Sequence, residues 1–247
     1  MRADDPGCPG RTPTRPAPAR RQTTEALSLA ALLQRSPLLS VLDAYDAEAL
    51  ACHTRKRLVS RHTVLLRQGE RGRHLWLQLS GQSHSFRADD RDREVILDLH
   101  GPGAFFGAES LIDGGPHPSS LRTDEDCDFL EIPGGALAGI LARHPGLAMT
   151  LTLHLNERLR RCHRRIASLA HQEVGERLLD RLSDLAEHGP EGLVLRRALP
   201  RQHLARMIGA SREMVSRTMK QLEITRAIEV RDDGSIRLNR PPDGSAA

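Results

Sequence analysis

The chain has 247 residues, of which 38% are hydrophobic, and its formal net charge is +4. This length suits two ordinary domains with a buried core, and no apolar run is long enough to span a bilayer, so we expect a soluble protein without membrane contact. The four cysteines, Cys8, Cys52, Cys127 and Cys162, form no close pair, which argues against a zinc knuckle or a disulfide framework and indicates a reducing cytoplasm.

The charge is unevenly distributed along the chain. Residues 1–24 are rich in proline and arginine and lack the apolar stretch of a secretory signal, so we expect a disordered basic tail, with a second disordered tail at 241–247. Residues 196–240 carry eleven arginines or lysines and five acidic residues. A basic C-terminal module on a mildly acidic body suits a polyanionic ligand bound at one end.

Short strand-like runs separated by glycine-rich turns lie between Leu38 and Pro133, within residues 32–142, which we interpret as one domain. Regular short strands of this kind predict an antiparallel sandwich or barrel, here a small β-roll. The runs are Val59–Leu66, Leu75–Leu79, Ser83–Arg87, Val95–Leu99 and Cys127–Ile132.

Residues 143–170 predict one long helix with an apolar seam. Apolar residues recur along it at spacings of four and three, as in a two-stranded coiled coil, and many arginines surround them. A partner helix, and therefore a homodimer, would cover the seam; the alternative is a monomeric helix that lies on the β-roll. The seam residues are Leu155, Leu159, Cys162, Ile166 and Leu169, and the arginines are Arg158, Arg160, Arg161, Arg164 and Arg165.

The segment 199–223, within a C-terminal domain at 171–240, has the pattern of a helix-turn-helix. Leu204 and Ile208 give the first helix an apolar face, and Val215 and Met219 do the same for the second. A glycine, Gly209, supplies the turn between them.

The start of the second helix is polar and charged. Ser211 can cap its free amides, and Arg212, Glu213, Ser216 and Arg217 fall outside the apolar stripe, where a recognition helix contacts bases. The alternative is an ordinary solvated face of an amphipathic helix.

Beyond this helix, two short strand-like runs predict a β-hairpin wing. Ile228–Val230 and Ile236–Leu238 flank an Asp-Gly turn at Asp233 and Gly234.

These motifs together resemble the bacterial Crp/Fnr transcription regulators over about residues 32–238. The helix-turn-helix carries the sequence SREMVSR at Ser211–Arg217, which is similar to the S-R-E-x-x-x-R recognition sequence of that family. The resemblance implies an α+β fold: a cyclic-nucleotide-binding-like β-roll of the jelly-roll type, a dimerisation helix and a winged helix-turn-helix. The effector-domain motifs are Arg67–Gly72, Leu79–Gly81, Arg93–Leu97, Gly101–Gly107 and Leu111–Gly115.

The resemblance implies roles for individual residues at double-stranded DNA. Arg212 and Arg217 are assigned to guanine or a neighbouring phosphate and Glu213 to a cytosine amino group, which suits their hydrogen-bonding groups, and Ser216 completes the base-reading set. A two-fold dimer would place two recognition helices roughly 34 Å apart, so we expect a palindromic operator with half-sites related to TGTGA or TTGAT, and RNA polymerase as a further partner. Phosphate contacts are assigned to Arg201, Ser211 and Lys220.

The effector pocket departs from the pattern of the cyclic-nucleotide binders in this family. Their glutamate position is Ala108, with Glu109 adjacent, and their phosphate-pairing arginine is Pro118, which has neither charge nor amide hydrogen. We therefore expect a degraded pocket that does not bind cyclic AMP tightly, and the offsets of Arg122 and His117 do not favour either as a substitute. The degraded set is Gly107, Ala108, Glu109, Pro118 and Ser119. A cyclic-nucleotide-responsive activator stays open as an alternative.

Other cofactors and activities have less support. An iron–sulfur cluster needs four cysteine thiolates and only Cys8 lies near the N-terminus, and haem rests on analogy alone, so we expect neither, nor any metal. The position of Cys162 among arginines suggests a redox switch, although a small apolar seam residue is the simpler interpretation. No Walker loop, Ser-His-Asp order or HExxH string indicates an enzyme, and a regulatory module that does not bind DNA is the remaining alternative.

Overall fold

The strands of the N-terminal half form two four-stranded antiparallel sheets. A computed structural model of the protein describes residues 29–190, 192–196 and 198–239, so the two expected disordered tails lie outside the described residues. One sheet has the order β1 (Arg55–Val59), β8 (Cys127–Pro133), β3 (His74–Gln78) and β6 (Phe105–Phe106); the other has the order β2 (Val64–Leu66), β7 (Ser120–Thr123), β4 (Ser83–Ala88) and β5 (Glu94–His100). The expected β-roll is confirmed.

The prediction of one strand over Val59–Leu66 was wrong. A turn separates β1 from β2 there, and His62 has a φ of 64°. The turn is held from outside, because the amide of Arg61 donates to Asp126 Oδ1 at 2.7 Å and the amide of Thr63 donates to Thr123 Oγ1 at 2.9 Å. The sequence interpretation also missed β1, β6 and β7.

Helices close one side of the roll. Residues 29–34 are helical, followed by α1 (Ala44–Ala51), α2 (Ala108–Asp113) and α3 (Gly134–Arg143). They pack with β3 and β8 in one apolar core, where burial of each large side chain contributes about 1.5–3 kcal/mol. Its fully buried members include Leu33, Leu39, Leu75, Leu130 and Ile132.

A long helix, α4 (Pro145–His171), leaves this core. Its 27 residues span about 40 Å, and only Leu147 and Leu151 at its beginning are buried. The apolar residues of the rest of the helix lie outside this core. The helix connects the β-roll to the C-terminal elements.

The C-terminal module is a winged helix-turn-helix. It contains α5 (Val174–Leu185), α6 (Arg201–Ile208) and α7 (Arg212–Ile224), with β9 (Glu187–Gly189), β10 (Gly192–Leu195), β11 (Ile228–Val230) and β12 (Ile236–Leu238) in a sheet of order β11-β12-β10-β9. The predicted wing is the β11–β12 hairpin, whereas β9 and β10 were missed. The module packs against β5, whose Ile96 is fully buried in the core of the module.

Candidate DNA-binding surface and effector pocket

The turn between α6 and α7 follows from two local features. Gly209 ends α6 in the left-handed conformation, with a φ of 65°, which glycine adopts without steric cost. Ser211 begins α7 by accepting a hydrogen bond from the amide of Met214 at 3.1 Å, as the sequence predicted. Val215 and Met219 are buried and fix the rotation of α7 against the module.

That rotation leaves one face of α7 open to solvent. Arg212, Glu213, Ser216 and Arg217 are all exposed on its first two turns. Hydrogen bonding at the helix start, first from its own backbone amide and then from Ser211, lowers the pKa of Glu213, so its carboxylate is ionised at neutral pH. The surface therefore offers two guanidinium donors beside one carboxylate acceptor, the groups that can recognise guanine and cytosine edges.

The residues assigned to phosphate lie around this face. Lys220 and Ser211 are exposed and Arg201 is half-buried at the first turn of α6. Within the described residues, none of Arg212, Arg217 and Lys220 forms an ion pair, so their charges are available to a polyanion.

The apolar seam of α4 is largely uncovered in the single chain. The exposed fractions of Leu159, Ile166 and Leu169 are 52%, 64% and 49%, Cys162 is exposed, and Leu155 is half-buried. A helix that lay with this seam on the β-roll would bury these residues. The alternative of a monomeric helix with a covered seam is therefore wrong for the described chain.

Two of the arginines grouped with the exposed face of α4 instead turn towards the β-roll. Arg158 pairs with Glu109, and Arg161 Nη1 lies 3.6 Å from Asp98 Oδ2. The expectation that all five arginines merely surround the seam was wrong for this pair, because acidic residues of the roll attract them.

Arg158 and Arg161 line a pocket between α4 and the roll. The pocket encloses about 560 Å³ when its open mouth is counted, but the centres of water molecules reach only about 60 Å³ of it. Gly107 stands at its base with a φ of 88°, and a Cβ there would lie 2.5 Å from the carbonyl oxygen of His74. The pocket also contains Glu109, Pro118 and Ser119 of the predicted set, with Ala108 buried beside it.

Three histidines in the pocket are neutral at pH 7. Burial lowers the pKa of His100 to about 4, and it lowers the pKa of His117 and His154 as well. The cations of the pocket are therefore Arg158 and Arg161. Each is already matched by an acid, so the described pocket has no unmatched positive charge.

The two substitutes weighed for the missing arginine differ in position. His117 lines the pocket and its Nδ1 lies 3.0 Å from Ser110 Oγ, but as a neutral ring it does not supply the charge of the missing arginine. Arg122 is directed elsewhere, because it donates two hydrogen bonds to Glu94 at 2.6 and 2.9 Å and lies 4.3 Å from the ring centre of Phe86.

The lowered pKa of His100 predicts a loss of stability in mild acid. The unfolded chain takes up this proton near pH 6.5 and the folded chain near pH 4, so the free energy of unfolding falls as the pH drops through that interval. Between pH 7 and pH 5 the loss amounts to at most about 2 kcal/mol. Urea unfolding of the wild type and of His100→Phe at both pH values measures it, and an equal loss in the two proteins would refute the assignment.

These features define a class of protein, a DNA-binding regulator with a cyclic-nucleotide-binding-type domain. Residues 56–144 match the model of the cyclic nucleotide-binding domain, and residues 176–243 match the Crp-like helix-turn-helix domain. The chain belongs to the Crp/Fnr family of transcription regulators, and the relatives that it matches are regulators rather than enzymes. No described helix is long and apolar enough to cross a membrane.

Similar proteins agree with this assignment. The chain is 31% identical over 196 residues to the cAMP-activated global transcriptional regulator CRP of Haemophilus influenzae, a match that covers 77% of this chain and 83% of that protein. It is 30% identical to the c-di-GMP-responsive global regulator CLP of Xanthomonas campestris, with a TM-score of 0.67 and coverage of 79% and 99%. FixK2 of Bradyrhizobium japonicum, at 19% identity and a TM-score of 0.68, shares the fold, with coverage of 78% and 99%.

Sequence reasoning missed Asp98, His100 and the inward direction of Arg158 and Arg161. A signal for the arginines was present, because positions 158, 161 and 165 recur at three and four and so share a face of α4 beside the seam. No comparable local pattern marked Asp98.

Proposed function

We propose that this protein binds a palindromic operator as a homodimer and regulates transcription from it. The observation that supports the proposal most strongly is the exposed polar face of α7, which is held outward by the buried residues on its opposite side. Two copies paired along α4 would carry two such faces, and a two-fold arrangement matches inverted half-sites about one DNA turn apart.

The residues divide into two roles at the DNA. We assign Arg212, Glu213, Ser216 and Arg217 to base edges in the major groove. We assign Arg201, Ser211 and Lys220 to phosphates, which position the module without reading sequence. RNA polymerase is a further proposed partner by family resemblance, and contact with chromosomal DNA implies a cytoplasmic location.

Fluorescence anisotropy with designed duplexes tests this proposal. One duplex carries inverted TGTGA half-sites, a second carries inverted TTGAT half-sites, and a third carries the bases of the TGTGA duplex in scrambled order. We expect saturable binding to one of the inverted repeats with at least ~10³-fold preference over the scrambled duplex, as is typical of specific sites. Equal affinity for all three would contradict the base-reading assignment.

For the effector, we propose that the pocket does not bind cyclic AMP tightly. Pro118 offers no charge to a phosphate, and Arg158 and Arg161 are paired with Glu109 and Asp98. A cyclic phosphate would have to break one of these pairs before it gained a charge-assisted contact.

A second candidate, a cyclic-nucleotide-responsive activator, is favoured by the presence of two arginines in the pocket. A ligand with more than one phosphate could displace both acids, and the Xanthomonas campestris relative is described as responsive to c-di-GMP. Calorimetric titration with cyclic AMP and with cyclic di-GMP separates the candidates. We expect the dissociation constant of cyclic AMP to exceed ~100 μM. A dissociation constant below ~1 μM for either ligand would favour the second candidate with that ligand as its effector.

We propose that neither haem, an iron–sulfur cluster nor another metal takes part. The described cysteines Cys52, Cys127 and Cys162 lie on different elements, which does not suit a thiolate cluster. Among the described residues, the one group with metal-ligand geometry is Asp43, Asp46 and His144, and there Asp46 is already paired with His144 and an arginine.

The position of Cys162 gives a direct test of parallel pairing. In a parallel, in-register dimer the two Cys162 residues would face each other across the seam, and a disulfide would form if their Cα atoms lie about 4.4–6.8 Å apart. Mild oxidation should therefore produce a covalent dimer that thiols reverse, visible on a non-reducing gel. Cys162→Ser should remain uncrosslinked, whereas Cys52→Ser should crosslink as the wild type does.

The same reaction tests the hypothesis that Cys162 is a redox switch. If oxidation changes the affinity of the wild type for DNA and leaves that of Cys162→Ser unchanged, the switch is supported. An equal response of the two proteins would leave Cys162 as a seam residue only.

A further inference from the structure

The edge strand β5 of the β-roll contacts the DNA-binding module. β5 has a bulge at Leu97, because Ile96 pairs with Phe86 of β4 and Asp98 pairs with the adjacent Ser85, so Asp98 does not continue the face that Glu94 and Ile96 share. Glu94 Oε2 accepts a hydrogen bond from Arg206 of α6 at 2.7 Å, and Ile96 is fully buried in the core of the module. Beyond the bulge, Asp98 lines the effector pocket.

The side chain of Asp98 contacts two further helices. Its Oδ1 accepts from Arg181 Nη2 of α5 at 3.4 Å, and its Oδ2 lies 3.6 Å from Arg161 Nη1 of α4. The Arg181 side chain is only 12% exposed, so screening by solvent at this contact is reduced. Asp98 thus joins the pocket strand, the dimer helix and the first helix of the module.

The chain between these two helices is short. Only Gln172 and Glu173 separate α4 from α5, and Gln172 has an extended backbone with φ −101° and ψ 147°. Such a connection is a natural hinge, since a few element-terminal residues can absorb a change in angle. Asp98, which belongs to neither helix, pairs with Arg161 on α4 and with Arg181 on α5. These two ion pairs therefore oppose a change in the angle between the helices.

The docked position is compatible with DNA binding. The module contacts β5 through α5 and α6, whereas Arg212, Glu213 and Arg217 of α7 remain exposed. Holding the module on the roll therefore does not cover the surface assigned to bases.

We propose that Asp98 is a positioning residue for operator binding: it fixes each DNA-binding module against the roll and the dimer helix, so that a dimer presents its two recognition helices at one spacing. This inference rests on the proposed function. Fixed spacing matters only when two half-sites are bound together, because the second contact then gains from a high effective concentration. A single half-site makes no such demand.

The test compares Asp98→Asn with a matched control, Asp184→Asn. Asp184 Oδ2 lies 3.7 Å from Nη1 of the same Arg181, but it belongs to α5 itself and its side chain is 71% exposed. We expect Asp98→Asn to bind the two-half-site operator about tenfold more weakly and a single half-site within about twofold of the wild type. It should also tolerate one inserted base pair between the half-sites better than the wild type, and Asp184→Asn should match the wild type in all three measurements.

A second measurement does not depend on DNA. β5 is an edge strand that the module covers, so release of the module should speed hydrogen exchange of amides 94–100 in Asp98→Asn and not in Asp184→Asn. Two results would overturn the role of Asp98: unchanged hydrogen exchange of amides 94–100 in Asp98→Asn, or an equal loss of affinity for the operator and for the single half-site. If hydrogen exchange is faster in Asp98→Asn but the wild type shows no DNA sequence preference, the proposed function is refuted, whereas the contact between Asp98 and the module is supported.

Discussion

Ile166→Asp is expected to convert a dimer into a monomer that no longer binds its operator at micromolar concentration. Ile166 is 64% exposed in the single chain, so the variant should fold normally. In the dimer the substitution removes apolar burial from both chains, about 1.5–3 kcal/mol for each, and brings two carboxylates together at the seam. The dissociation constant of the dimer should rise by at least ~10³-fold, and sedimentation equilibrium measures it.

A surface variant of the same helix controls for charge. Arg160 is exposed and lies outside the apolar seam, so Arg160→Glu should remain dimeric although it changes the net charge by two units, one more than Ile166→Asp does. If Ile166→Asp stays dimeric at micromolar concentration, the seam is not the interface, and the proposed pairing along α4 would be wrong.

Arg217→Ala is expected to reduce sequence preference strongly while leaving the fold intact. Arg217 is exposed on α7, so its removal should cost little stability. A bidentate arginine contact with guanine discriminates by about 1–3 kcal/mol, and a dimer would lose two of them, which corresponds to roughly 30-fold to 10⁴-fold weaker operator binding. Competition between operator and scrambled duplex measures this loss directly.

Lys220→Ala is the matched control for this variant. Lys220 is exposed on the same helix and is assigned to phosphate, so its removal should weaken binding to operator and scrambled DNA alike. The slope of log affinity against log salt concentration should decrease by the amount that corresponds to about one phosphate contact per chain. If Arg217→Ala behaves in the same uniform way, Arg217 contacts phosphate and does not read a base.

The helix-turn-helix could be predicted from sequence because local signals determine it. The spacing of Leu204 and Ile208, the capping serine Ser211 and the glycine Gly209 act within a few residues of each other, and each has its expected role in the structure. The seam of α4 was predictable for the same reason, since a spacing of four and three needs no distant partner to be recognised.

The β-roll and the pocket were less predictable because distant residues complete them. The turn within residues 59–66 depends on hydrogen bonds that its amides donate to Thr123 and Asp126, about 60 positions away. The pairing of Arg158 with Glu109 likewise joins residues far apart in sequence. The sequence around the arginines does not indicate which of them face the roll. The motif comparison identified the missing phosphate-pairing arginine at Pro118, but it could not predict the acids that neutralise the pocket.

Selection of bound duplexes from a random DNA pool tests the central claim most directly. If two copies pair along α4 and present two recognition faces, the enriched sequences will contain two inverted half-sites whose centres lie about one helical turn, roughly 34 Å, apart. Enrichment of a single unrepeated site, or no enrichment over the starting pool, would contradict the account.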